Sequence, residues 1–186
     1  MENNYENLEK KIEITTASPE DVRGMIEVFY KTWLATYPNE EYKITVDDIE
    51  DRFKDSFTDE NLKKRAERIT NPPEGEMTFL AKEDESVVGL VRIVRHPDRN
   101  QLQAIYVLPQ YQRKGIGYLL WEEARKHFDQ TIDTIVNVAI YNIKAIEFYK
   151  KLGFKETGKV WEDEKFKLKS GAIISETELI MKGTRR

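Results

Sequence analysis

Leu102-Gln103-Ala104-Ile105-Tyr106-Val107-Leu108, running into Pro109-Gln110-Tyr111-Gln112-Arg113-Lys114-Gly115-Ile116-Gly117, decides how the rest of the chain is read. The first seven residues are nearly continuous in apolar content, as in a strand covered on both faces. Pro109 ends the strand, because proline has no N–H to give to a ladder. Beyond it, Ile116, Leu119, Leu120, Ala124 and Phe128 share one helical face, so a helix over 115–128 follows. The first-turn amides of such a helix lack intrahelical acceptors, its dipole is positive there, and Arg113 and Lys114 add full charge. This is a site for phosphate or pyrophosphate. A glycine there lets the backbone approach a ligand or adopt positive φ. The competing reading is that Gly115 and Gly117 only relieve crowding between helix and strand, and spacing leaves both open. A dinucleotide loop would need glycine where Leu120 stands, and a Walker loop is absent.

The elements around this segment alternate. Ile12 to Thr15 reads as a half-buried strand. Ser18-Pro19-Glu20-Asp21 starts a helix whose apolar face is Val22, Met25, Ile26, Phe29 and Trp33 and which stops before Pro38. Thr45 to Asp48 starts a second helix with the stripe Ile49, Phe53, Phe57. A third, from Asp59 to Ile69, carries the charge run Lys63, Lys64, Arg65, Glu67 and Arg68, read as a solvated face. Strands follow at 77–82 and 87–94, joined by a hairpin turn at 83–86, and turn residues at 96–100 lead into the strand at 102–108. After the helix at 115–128 come a strand over 132–140, a short helix over 142–152 with Gly153 as its C-cap, and strands around 154–162 and 172–182. This order predicts one α/β domain with a mixed sheet and a right-handed crossover.

Composition narrows the chemistry. A chain of 186 residues can bury a sizeable core. With 39% hydrophobic and 34% charged residues it reads as globular. The net charge of −4 argues against a nucleic-acid partner, which needs basic neutralisation of phosphates. With no cysteine and only His96 and His127, widely separated, no metal site and no thiol nucleophile are expected. The polar, acidic opening from Met1 to Asn7 does not resemble a signal peptide, and no apolar run has the length of a membrane span. The expectation is a cytoplasmic protein without a membrane partner.

Asn142-Ile143-Lys144-Ala145-Ile146-Glu147-Phe148-Tyr149-Lys150-Lys151-Leu152-Gly153-Phe154 is a second pattern, with Asn142 placed to cap the short helix. Tyr149 on its own reads equally as a core aromatic. Taken together, Gln112, Gly115 and Gly117 with Asn142, Ala145, Phe148, Tyr149, Gly153 and Phe154 resemble the GNAT superfamily of N-acetyltransferases, bacterial type. The likeness runs over nearly the whole chain. The ending from Phe166 to Met181 and the early helices also look like relatives of the spermidine/spermine acetyltransferases.

The resemblance implies an α/β fold with a central, mixed but mostly antiparallel twisted sheet of about seven strands flanked by helices. In it the strands at 102–108 and 132–140 splay apart to admit acetyl-CoA. It implies one acetyltransferase domain over 12–182, with a flexible segment at 1–11 and a tail at 183–186. Ile105, Tyr106 and Val107 would hold the pantetheine arm, and Gln112, Arg113, Lys114, Gly115, Ile116, Gly117 and Tyr118 the pyrophosphate. Asn142 and Ala145 would border the arm, and Tyr149 would serve as the acid at the thioester sulfur. Attack would be direct, in a ternary complex. Where many relatives carry an acid on the fourth strand, this chain has Gln103 and Gln101, so the base is left to a water relay, a neutral amine, or Glu40, Glu41 or Asp98. Trp33, Tyr37, Glu40 and Glu41 would border the acceptor, a polyamine-like small amine or a peptide. A homodimer accords with family habit, and a non-catalytic acyl-CoA sensor is the alternative that Gln103 keeps open.

Overall fold

The computed structural model describes residues 11–184, so residues 1–10, most of the expected N-terminal segment, and Arg185 and Arg186 of the tail lie outside the described residues. Seven strands form one sheet: β1 (Ile12–Thr16), β2 (Glu76–Glu83), β3 (Ser86–Arg95), β4 (Asn100–Val107), β5 (Thr134–Ala139), β6 (Lys155–Lys167) and β7 (Ile173–Met181). Their spatial order is β1-β2-β3-β4-β5-β7-β6, and every neighbouring pair is antiparallel except β4 and β5. Three helices, α1 (Val22–Thr36), α2 (Val46–Phe53) and α3 (Asp59–Thr70), precede the β2–β3 hairpin, while α4 (Ile116–Lys126) and α5 (Ile143–Lys151) follow β4 and β5.

Local chemistry explains most boundaries. Ser18 and Asp21 form a capping box, but Pro19–Asp21 is a 3₁₀ turn and the α-helix begins only at Val22. Thr45 and Asp48 form a second box at the start of α2. That helix ends at Phe53 and turns carry the chain to the Thr58 cap of α3, so Phe57 lies beyond the stripe expected for it. The residues that pack the sheet are apolar on both faces: Leu80, Leu90, Leu102, Leu120 and Leu179 are fully buried in one cluster. Arg92 lies over the ring of Phe29 on α1, whereas a Cβ on Gly89 would meet Leu120 of α4. Hence β3 turns alternate residues toward α1 and α4, the period of two expected of a strand covered on both sides.

One polar residue sets the opening in the sheet. Asn100, read from sequence as part of a turn, is the fully buried first residue of β4. Its Nδ2 donates to the Asp129 carbonyl at 2.8 Å and to Thr134 Oγ1 at 3.2 Å, and its Oδ1 accepts from the Asp129 amide at 3.2 Å. These bonds fasten β4 to β5 at one end only. Parallel pairing runs Asn100–Thr134, Gln101–Ile135, Leu102–Val136 and then stops. From Gln103 onward the two strands diverge, which is the splay the resemblance implies.

Candidate active site

The open edge of β4 is backbone. The Leu108 amide donates to the Val88 carbonyl of β3 at 2.9 Å. Peptide groups alternate along a strand, so those of Val107 and Ile105 face the gap, and Gln112 Nε2 confirms the direction by donating to the Val107 carbonyl at 3.0 Å. Tyr106, expected to hold the same arm, has its carbonyl turned toward Gly89 of β3 instead. Its ring lies edge-on to Phe29 of α1 at 5.2 Å.

Beyond this edge the chain makes a tight loop. Pro109–Tyr111 is a 3₁₀ turn, Arg113 has φ +63°, and Gly115 caps α4 with φ +82°. Amides from Arg113 to Gly117 donate no backbone hydrogen bond among the described residues, whereas the Tyr118 and Leu119 amides both donate to the Gly115 carbonyl. Five N–H groups therefore stand at the positive end of a helix beside two exposed cations. The two glycines have different reasons. A Cβ on Gly115 would meet nothing within 4 Å, so only its positive φ demands glycine, and the space beside it is open. A Cβ on Gly117 would come within 3.3 Å of Phe148 Cζ, so that glycine lets α5 approach α4. Gln112 braces the loop and Ile116 is core. Positive φ thus accounts for Gly115, and the close approach of α5 accounts for Gly117.

Across the gap, Asn142 caps α5 by accepting from the Ala145 amide at 3.2 Å. Tyr149 is buried about two turns beyond that cap, against Phe148 and Phe154. Burial, with a smaller push from Tyr106, raises its ionisation well above the ordinary tyrosine range, while a backbone hydrogen bond from Ile105 opposes the rise. The Tyr149 hydroxyl thus meets the open edge of β4 and stays protonated throughout the physiological range.

On the α1 face of β4 lies a cavity of about 590 Å³ that also reaches β5 and β7. Trp33 and Tyr37 line it, stacked at 4.3 Å. Trp33 Nε1 donates to the Tyr106 hydroxyl at 3.2 Å, and the Tyr37 and Tyr106 hydroxyls lie 3.5 Å apart. Burial raises the ionisation of both tyrosines. Glu40 and Glu41 sit in an exposed turn outside the lining. Asp98 pairs with Arg99 at 3.1 Å, and His96 is 3.3 Å from Gln101 Oε1. The carboxylate that does line the cavity is Glu176 of β7, next to Ala139 in the ladder. Sequence reading missed it because Glu178 stands two residues on with the same alternation; Glu178 is 3.0 Å from Lys159. Arg52, Arg65 and Arg92 line the same cavity. Arg65 belongs to the run expected to be a solvated face, and its neighbour in that run, Arg68, bonds buried Glu76 through Nε at 3.1 Å.

Among the described residues no helix is long and apolar enough to cross a membrane, and no group of three or more His, Cys, Asp or Glu is placed to hold a metal ion. The description "Acetyltransferase (GNAT) family" matches residues 29–154. A spermidine N(1)-acetyltransferase of Thermoplasma acidophilum is 29% identical over 150 residues, covering 77% of this chain and 88% of that protein. The crystal structure of PaiA N-acetyltransferase from the same organism, in complex with coenzyme A, has a TM-score of 0.69 at 26% identity, covering 92% of this chain and 99% of that one. An acetyltransferase of the GNAT family from Streptococcus pneumoniae shares the fold, with a TM-score of 0.66 at 20% identity over 92% of this chain and 99% of the other.

Proposed function

This chain belongs to the acetyltransferase (GNAT) family, and we propose that residues 12–182 form one N-acetyltransferase domain joining acetyl-CoA to an amine across the gap between β4 and β5. The observation that carries this reading is the end of β4–β5 pairing at Leu102 and Val136, which leaves Ile105 and Val107 facing the gap. The unpartnered amides at the start of α4 and the Tyr149 hydroxyl border the same opening. The site fits acetyl-CoA on this ground: an open strand edge for an amide-bearing arm, free N–H groups and two cations for a pyrophosphate, and open space at Gly115.

Acetyl-CoA supplies a thioester whose carbonyl carbon a neutral amine can attack and whose sulfur leaves as thiolate. Ile105 offers its carbonyl to the arm as a neighbouring strand would, because its amide faces the Tyr149 hydroxyl and Gln112 takes the Val107 carbonyl. Arg113 to Gly117 hold the phosphates, with Gln112 fixing the loop to Val107. The Val107 amide is the fixed donor at the carbonyl oxygen. Tyr149 keeps its proton on Oη and directs it at the departing sulfur. Its raised ionisation means that the proton moves only as the sulfur leaves. Glu176 takes the amine proton on the cavity side, where Gln101 and Gln103 cannot. The chain has no cysteine to carry an acyl group, which supports direct transfer.

The test is to incubate the protein with acetyl-CoA and a panel of amines and to follow free thiol. Amine-dependent release is the expected outcome. Binding of acetyl-CoA without release for every amine would favour a sensor on the same fold, and no binding would remove both readings.

A further inference from the structure

From the cavity on the α1 face we infer that the acceptor is an amine whose far end bears a carboxylate, received by Arg52 with Arg65 and Arg92; the inference rests on the acetyltransferase reading above. Three guanidinium groups line this cavity against the single carboxylate of Glu176. Arg52 lies over the rings of Trp33 at 4.9 Å and Phe166 at 5.6 Å. Neither Arg52 nor Arg65 has a carboxylate within ion-pair distance among the described residues. Arg92 lies 3.8 Å from Glu76, a residue that Arg68 also engages, and its buried Nε has no hydrogen-bond partner. Arg52 and Arg65 are exposed at the cavity mouth, whereas Arg92 is the more buried of the three, and partial burial lowers its ionisation.

Three cations lining one cavity that holds a single carboxylate make its potential positive and favour an anion there. The guanidinium fork matches an oxyanion in two parallel hydrogen bonds, and contact with the rings of Trp33 and Phe166 restricts where Arg52 can point. These arginines are not part of the cofactor site. The cavity touches β4 at Gln101 to Ala104 and Tyr106, on the face toward α1, whereas the anion loop begins beyond the end of that strand. A polyamine would place its distal ammonium groups among like charges. An amino carboxylate would place its amine toward Glu176 and its carboxylate toward the arginines. The relative named a spermidine acetyltransferase has no bearing on this charge balance, which belongs to residues of this chain.

A matched series decides the matter. Aminopentanoate, aminopentanamide and diaminopentane share one length and differ in an anionic, neutral or cationic far end. The same triad at shorter and longer lengths, phenylalanine against phenylalaninamide, and spermidine complete the set. Thiol release is measured with the full chain and acetyl-CoA. The expected result is that the best carboxylate exceeds its amide in kcat/KM by about tenfold or more, and exceeds its diamine further. Arg52→Gln should bring the acid-to-amide ratio close to one, and Arg52→Lys, which keeps the charge but not the fork, should restore part of it. A wild-type ratio at or below one, or a preference for diamine or spermidine, overturns the inference and leaves the enzyme reading standing. No release from any amine overturns both.

Discussion

The cofactor edge and the arginine cavity meet β4 at different places, its gap-facing edge and its α1 face, and are made in different ways. On the edge, the working groups are mostly peptide N–H and C=O between Ile105 and Gly117, a dozen or so consecutive residues, joined by one side chain from α5. In the cavity they are side chains gathered from α1, α2, α3 and the strands β3 to β7, from Phe29 to Glu176. A site made of backbone depends on local conformation and tolerates changes of side chain, except where a glycine or a proton donor is needed. A site made of distant side chains can change its ligand through single substitutions while the sheet stays as it is. The two halves should therefore respond separately to mutation, and the substitutions below test that separation.

Tyr149→Phe should give the largest effect. The variant keeps the ring against Phe148 and Phe154 and removes only the hydroxyl. We expect kcat to fall by about two to three orders of magnitude. Acetyl-CoA affinity, read by calorimetry, should change less than about threefold, since the arm is held by backbone. Turnover within twofold of wild type at saturating substrates would falsify the role of Tyr149 as acid. Glu176→Gln tests the other side of the gap. Here kcat/KM should drop by roughly ten- to a hundredfold near neutral pH. The deficit should shrink as pH rises and more of the amine arrives neutral. A deficit that stays constant with pH would reassign Glu176 to binding.

Gly115→Ala sharpens the comparison from the cofactor side. The new methyl meets nothing within 4 Å, so its cost is confined to φ +82°. Holding a residue with a side chain in the left-handed region costs about 1–2 kcal/mol. If the loop yields rather than the fold, that cost appears as roughly a tenfold loss of acetyl-CoA affinity, with the acceptor KM unchanged. A lower melting temperature with full affinity would show that the loop conformation serves the fold alone.

The same contrast explains what the sequence made legible. Periodicity found most strands and helices, because they bury an apolar stripe or alternation of their own, whereas α3 buries no residue and was legible only as a charged helical run. It found the loop at Gln112–Gly117 because glycine, charge and a helix start are adjacent in the chain. Asn100 looked like a turn because its work, fastening β4 to Asp129 and Thr134, is done with residues far along the chain. Glu176 and Arg92 were invisible for a like reason. In a strand, one charged residue among several declares nothing until the sheet shows which face borders a cavity. Glu40 and Glu41 attracted attention through adjacency to Trp33 and Tyr37, but the chain turns outward after Pro38 and leaves them in solvent.

Asp48 gives the smallest effect and the one most specific to the cavity. Its Oδ2 accepts from the Thr45 amide at 2.9 Å and the Thr45 hydroxyl at 2.8 Å, and its Oδ1 accepts from the Ser170 amide at 2.7 Å. It thereby ties α2, which carries Arg52, to the turn between β6 and β7, whose strands carry Phe166 and Ile174 of the cavity wall. Both oxygens are used as acceptors, so Asp48→Asn sets an NH₂ against at least one donor. We expect a loss of about 1–3 kcal/mol in denaturant unfolding and a raised acceptor KM, with acetyl-CoA affinity unchanged. Burial alone would raise the Asp48 carboxyl, but the bonds from Thr45 and Ser170 outweigh it and hold it below the usual carboxylate range. The folded value is thus lower than the unfolded one, so this stabilisation is complete above about pH 4. It fades as pH falls through the lowered folded value. Asp48→Asn should be less stable than wild type at neutral pH, and the gap should narrow in acid. If acetyl-CoA affinity fell in step with the acceptor KM, the gap-facing edge and the α1 face of β4 would be one coupled unit, and the separation argued from their construction would be lost.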